Sequence, residues 1–170
     1  MREFLHVLRA YQIEHVVDIR RFPTSRYTHF NREQLKNCLE QHGIEYHHLA
    51  RLGGYRDGGY RRHMSSTEFE QGLRCLEAYA ASKRVAIMCA ELLYTKCHRR
   101  FIADALHERG HTVIHIIDDT RSDEHKGADR TLDEFLGDDE PSESDYIMAD
   151  RVYTRLIRRG EIFHRVGAGY

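Results

Sequence analysis

The first 117 residues alternate between two hydrophobic periods, and that alternation restricts the chain to few architectures. Phe4, Leu5, Leu8 and Tyr11 recur at helical spacing. They are followed by His15-Val16-Val17-Asp18-Ile19-Arg20, a β-branched run suited to a buried strand. Pro23 closes that unit. Asn31 with Gln34 has capping-box spacing and opens a helix to about Gln41, stopped by Gly43. Ile44 to Leu49 is a second strand. Arg51 to His63 carries four glycines and reads as a long loop. Thr67 to Ala81 is a helix with Phe69, Leu73, Leu76 and Tyr79 on one face, and Arg84 to Ala90 is the most apolar strand. A helix capped by Thr95 runs to Arg109, with Thr112 to Ile117 as the fourth strand.

The order αβαβαβαβ predicts an α/β domain: a mostly parallel sheet of about four or five strands with helices on both faces, a Rossmann-like three-layer sandwich. Its crossovers are expected to be right-handed. After Ile117 the composition changes. Between Asp118 and Asp145 twelve acidic residues stand against Arg121, Lys126 and Arg130, which predicts loop. Asp150 to Arg159 reads as a last helix and Glu161 to Val166 as a last strand. The expected division is therefore a core domain over 1–117 and an acidic loop with a helix/strand extension over 118–170, packed on or tethered to the core.

No apolar run has the length of a membrane span, and the polar-broken start Met1-Arg2-Glu3-Phe4-Leu5-His6 does not read as a secretory signal. A cytoplasmic protein with no membrane partner is the expectation. Cys38, Cys75, Cys89 and Cys97 then read as free thiols, and no CxxC pair suggests a zinc ribbon or a thioredoxin-type site. Among the 13 histidines, His111 and His115 are four apart on a predicted strand. At about 3.3 Å per residue they are roughly 13 Å apart, too far for one ion. No metal and no cofactor is expected. Walker A, G-x-G-x-x-G and G-x-S-x-G patterns are absent.

Ligands of open parallel sheets bind beyond the carboxyl ends of the strands. The segments after the first three strands hold Arg20, Arg21 and Arg26, then Arg51, Arg56, Arg61 and Arg62, then Lys96, Arg99 and Arg100. Asp57 is the one acid among them. A chain of net charge −1 would thus carry a positive rim. Phe22, Tyr27, His29, Phe30, Tyr55, Tyr60 and His63 are interleaved there, a mixture suited to an anion with a flat ring. Asp18 and Glu91 end two strands and are candidates for acid, base or nucleophile. Cys97, in the expected first turn of the Thr95 helix beside Lys96, His98, Arg99 and Arg100, is a candidate thiolate.

Several of these segments resemble the domain-of-unknown-function 488 family. Val17-Asp18-Ile19-Arg20-Arg21-Phe22-Pro23-Thr24-Ser25 is similar to its V-D-[VI]-R-x-x-P-x-S segment. Gly43-Ile44-Glu45-Tyr46 with Leu52-Gly53-Gly54 is similar to its next block. Met88-Cys89-Ala90-Glu91 and Cys97-His98-Arg99-Arg100, followed by Ile102-Ala103, resemble its C-A-E…C-H-R signature, and Gly110-His111 with His115 completes the likeness over residues 3 to 117. The resemblance implies an α/β domain with a polar site holding Asp18, Arg20, Ser25, Glu91, Cys97, His98 and Arg99, and no established reaction. Members usually begin with a strand bearing a T-I-G-H-S-like motif. This chain begins at the helix after it, so either a truncated start or a lost part of the site is expected.

The leading expectation is a small enzyme acting on a nucleotide-like or nucleic-acid substrate. In it Asp18, Glu91 and Cys97 are catalytic, and Arg20, Ser25, His98, Arg99 and Arg100 bind the ligand. A binding module without catalysis is the second, and a thiol-redox or metal-responsive protein centred on Cys89 and Cys97 the third. The expected partner is an anionic small molecule or nucleic acid.

Overall fold

The structure, a computed structural model, describes residues 1–91, 94–127, 153–158 and 161–164. Helix α1 (Arg2–Ala10) leads into strand β1 (His15–Asp18), α2 (Arg32–Gln41) and β2 (Glu45–His48). Then follow α3 (Tyr60–Met64), α4 (Thr67–Ala80), β3 (Val85–Cys89), α5 (Arg99–Glu108) and β4 (Thr112–Ile116). Three short strands complete the order: β5 (Ser122–Glu124), β6 (Tyr153–Arg158) and β7 (Glu161–His164).

β1 lies between β2 and β3, parallel to both; His15 faces Glu45 and Val85, and Asp18 faces His48 and Met88. Contiguous parallel pairing therefore covers three strands, fewer than the four or five expected. The reason lies in the C-terminal chain. β6 pairs antiparallel with both β3 and β4, and β7 pairs antiparallel with β6 and parallel with β4, giving the order β2-β1-β3-β6-β7-β4-β5. The last helix expected over 150–159 is a strand where it is described. Tyr153-Thr154-Arg155-Leu156-Ile157-Arg158 is a β-branched and aromatic run whose pairing places Tyr153 opposite Cys89. The acidic loop expected over 118–145 is described only to Gly127 and contains β5; the rest lies outside the described residues.

Every residue of β1 and β3 is buried, as strands covered on both faces require. Alternate side chains feed two cores. On one face Val16, Ala86 and Met88 meet Leu5 and Leu8 of α1 and Leu35 and Leu39 of α2. On the other, Val17, Val85, Ile87 and Cys89 meet Leu73 and Leu76 of α4 and Ile102 and Leu106 of α5. Fully burying side chains of this size stabilises by about 1.5–3 kcal/mol each, so the two cores hold the layers together. Helices on both faces are thus observed. No helix among the described residues is long and apolar enough to cross a membrane.

Local chemistry departs from sequence expectation in three places. Asn31 precedes α2 but caps nothing with its side chain; its Oδ1 accepts from the Ser25 amide at 2.7 Å and ties down the preceding loop instead. The glycine-rich segment is not all loop, because α3 forms inside it. The helix expected from Thr95 begins at Arg99, after a 3₁₀ turn over Tyr94–Lys96. Cys97 therefore lies before the helix and not in its first turn.

Candidate functional site

The connection after β1 runs to β2 on one side, and the connection after β3 runs to β4 on the other. The carboxyl ends of β1 and β3 are thus the topological switch point of the sheet, and the crevice expected at such a point is where open parallel α/β sheets bind ligands. The Ile19 amide donates to the Met88 carbonyl at 2.9 Å, extending the pairing to the mouth of this crevice.

Asp18 closes β1 with no exposed surface. Arg20 grips its carboxylate through Nε, at 2.9 and 3.1 Å, and Nη2, at 2.6 Å. The Arg20 amide adds a bond of 3.0 Å, and the Tyr46 hydroxyl of β2 donates at 2.8 Å. Burial works against the Arg20 charge, but the Asp18 carboxylate outweighs it and raises the guanidinium pKa. Burial first and Asp18 second push the Tyr46 phenol upward. Asp18 is thus a saturated acceptor that fixes the Arg20 fork. Ser25 serves its own turn: its Oγ accepts from the Tyr27 amide at 3.1 Å.

The second cluster lies where β3 gives way to α5. The Sγ atoms of Cys89 and Cys97 are 3.6 Å apart, and both thiols are free and buried. Arg99, with no exposed surface, donates from Nε to Cys97 Sγ at 3.3 Å and from Nη2 to the Glu91 carbonyl at 2.6 Å. His98 Nδ1 is 3.7 Å from the same sulfur. Burial penalises a thiolate at Cys97, but the Cys89 thiol, the Arg99 guanidinium and His98 outweigh it and hold its pKa well below the usual thiol value. The Cys89 thiol is pushed up, by its hydrogen bond to Cys97 and then by burial. His98 is fixed from two sides. Its ring lies 5.0 Å from that of Tyr60, and a Cβ on Gly54 would fall 2.7 Å from its Nδ1. Glu91 is buried at the strand end. Arg100 is half-buried, its guanidinium 4.5 Å over the Phe101 ring.

The structure therefore separates the predicted arginines into two kinds. Arg20 and Arg99 are internal and already hydrogen-bonded. Arg56 is held by the Gly53 and Ala50 carbonyls and by Glu68. Arg21, Arg26, Arg51, Arg61, Arg62 and Lys96 are exposed. The exposed large hydrophobic residues among the described ones are Phe22 (66 %), Tyr27 (41 %) and Tyr55 (57 %), all on the loops after β1 and β2. The Phe22 and Tyr55 rings are 6.5 Å apart, and the Arg26 guanidinium sits 5.2 Å over Tyr27.

Sequence reasoning missed Tyr46 and Gly54 as parts of the site and placed Tyr60 only among the rim aromatics, since each acts through a partner at least 28 residues away. It also expected no metal. Yet donor atoms of Cys89, Cys97 and His98 lie within 4.8 Å of one another, a set that could take a soft cation. His111 and His115 do not converge: one meets Glu77 at 3.1 Å and the other His125 at 3.0 Å.

The sequence model of the family described as "Domain of unknown function DUF488" matches residues 1–106. No curated protein and no solved structure matches the chain.

Proposed function

The chain belongs to the DUF488 family, and we propose that it is a small enzyme that binds a nucleotide-like or single-stranded nucleic-acid ligand at its aromatic–arginine rim. One observation carries this reading. Phe22, Tyr27 and Tyr55 are exposed on the loops after β1 and β2, with the Phe22 and Tyr55 rings 6.5 Å apart and Arg26 over Tyr27, and Arg21 and Arg62 in the same segments are exposed too. An exposed ring costs solubility unless something covers it, and bases stack on aromatic faces whatever their sequence. Arginines beside them meet phosphates in bidentate fashion.

The crevice beneath the rim supplies the chemistry. Cys97 is the candidate nucleophile and Glu91 the candidate acid or base. Arg99 and His98 position the sulfur. Arg20, locked by Asp18, presents a fixed guanidinium at the strand end, and Ser25 and Arg100 border the ligand path. The family core over 1–117 carries this site, with 118–170 as an extension. The Rossmann-like reading supports the location, because such sheets bind anions at this crevice.

The test is binding of nucleotides and short single-stranded oligonucleotides to the full chain and to Tyr55→Ala and Phe22→Ala. Each lost stack is expected to cost roughly 1–3 kcal/mol, about a 5- to 150-fold loss of affinity. Unchanged affinity in both variants sinks the reading. Glu91→Gln separates an enzyme from a binding module: it should abolish turnover and spare binding in the first, and change little in the second.

A second reading rests on the 3.6 Å approach of Cys89 and Cys97. A peroxide would oxidise the Cys97 thiolate to a sulfenate and be reduced to the alcohol or water. The Cys89 sulfur then displaces hydroxide, which leaves as water, to close a disulfide. A mass loss of two hydrogens on peroxide treatment, absent in Cys89→Ser, is the signature; its absence in the wild type rejects the idea.

A further inference from the structure

At the opposite end of the same strands, three donors converge that the crevice does not use. His15 opens β1, and its register partner on β2 is Glu45. His47 lies two residues further along β2, and a strand's period of two returns it to the face of Glu45. His15 Nε2 is 2.8 Å from His47 Nδ1, and His15 Nδ1 is 3.8 Å from Glu45 Oε2. One donor atom from each residue lies within 4.8 Å of the others.

His15 is 1 % exposed, and its Nδ1 is buried without a hydrogen-bond partner, an expensive arrangement for a polar atom. Tyr79 of α4 covers the cluster from one side, its ring 4.6 Å from that of His15 and 5.0 Å from that of His47. His47 and Glu45 are exposed, so the other side opens to solvent. Tetrahedral bonds of about 2.1 Å place neighbouring ligand atoms about 3.4 Å apart. One donor atom from each residue already lies within 4.8 Å of the others, so modest side-chain rotations would bring three donors to that spacing around one ion.

We propose that His15, Glu45 and His47 form a site for a borderline divalent transition metal such as Zn²⁺, which would pin the edge strand β2 to β1. The donor set fixes the class. Two imidazoles with one carboxylate suit zinc, cobalt or nickel, whereas Mg²⁺ and Ca²⁺ need a shell of oxygens. Lys83 strengthens that choice: its ammonium pairs with Glu45 Oε1 and leaves Oε2, the oxygen nearer His15, to serve the site.

The experiment is titration of the reduced full chain with Co²⁺, followed by absorbance, beside thermal melting with Zn²⁺ and with Mg²⁺. The expected result is one equivalent bound with d–d bands and no sulfur-to-cobalt charge-transfer band. Zn²⁺ but not Mg²⁺ should raise the melting temperature, because an ion bound only by the native state stabilises it. His47→Gln, at an exposed position, should weaken binding by about tenfold or more, since even outer-shell changes cost roughly 10–100-fold. Three outcomes overturn the proposal: no binding, affinity unchanged in both His47→Gln and Glu45→Gln, or sulfur bands alone, which place the ion on Cys89 and Cys97.

Discussion

At the scale of single residues, the site is a lesson in which charges are available. Asp18 reads from sequence as a candidate acid, base or nucleophile, yet its oxygens receive Arg20 and Tyr46. Removing it would leave a guanidinium 4 % exposed without a counter-charge. Asp18→Ala is therefore expected to lose about 3–5 kcal/mol of stability, the usual cost of breaking a buried pair from one side. Tyr46→Phe removes one hydrogen bond to the same oxygen and should cost only about 1–2 kcal/mol. Urea denaturation of both variants checks the ranking, and equal effects would show that Asp18 is not the keystone. Cys97 is the converse case. Its pKa is held well below that of an ordinary thiol, so the thiolate persists as the pH falls below about 8.5. Its alkylation rate, followed by mass spectrometry, should stay level from pH 8.5 to 7 while that of free cysteine in solution declines. A parallel decline would remove Cys97 as the nucleophile.

At the scale of elements, long periodic segments were legible and compact ones were not. The pattern Phe69, Leu73, Leu76 located α4, whose ends the structure places at Thr67 and Ala80. The apolar run at Val85 located β3. α3 has five residues and hid among glycines, because one and a half turns carry too little periodicity to see. It matters because it folds the Arg51 loop back onto α4. His63, 8 % exposed in α3, makes a 2.7 Å hydrogen bond with the Arg51 carbonyl that joins the two. Burial lowers the His63 pKa, with Arg56 and Arg21 adding to it and the Arg51 carbonyl and Glu68 opposing. A histidine with a lowered folded pKa binds protons more readily when unfolded. Its contribution is complete above about pH 6.5 and is lost as the pH falls toward the folded value. The melting temperature of the wild type should thus fall more steeply between pH 7 and 5.5 than that of His63→Gln. Identical slopes would refute the link.

At the scale of the molecule, the four αβ units were readable but their order in space was not. Hydrophobic period assigns a segment to a strand; nothing in it says that β1 lies between β2 and β3, or that β6 pairs between β3 and β4. That order creates the switch-point crevice and sets Asp18 beside Met88, one residue from Cys89. The segments that follow β1 and β2 carry the exposed Arg21, Arg26, Arg61 and Arg62, although the chain as a whole has a net charge of −1. Electrostatic binding depends on the local cluster, so a nearly neutral protein can still show the salt dependence of a basic one. If Arg21, Arg26, Arg61 and Arg62 each neutralise a phosphate of a single strand, log K should fall with log salt at a slope of about −3. Between 50 and 200 mM salt that is roughly a fiftyfold loss. Arg62→Ala should flatten the slope by about 0.7 and leave the stacking at Tyr55 untouched. A slope near zero with affinity still sensitive to Tyr55→Ala would instead mean that the rim reads rings without phosphates, and the ligand would then be a base or nucleoside.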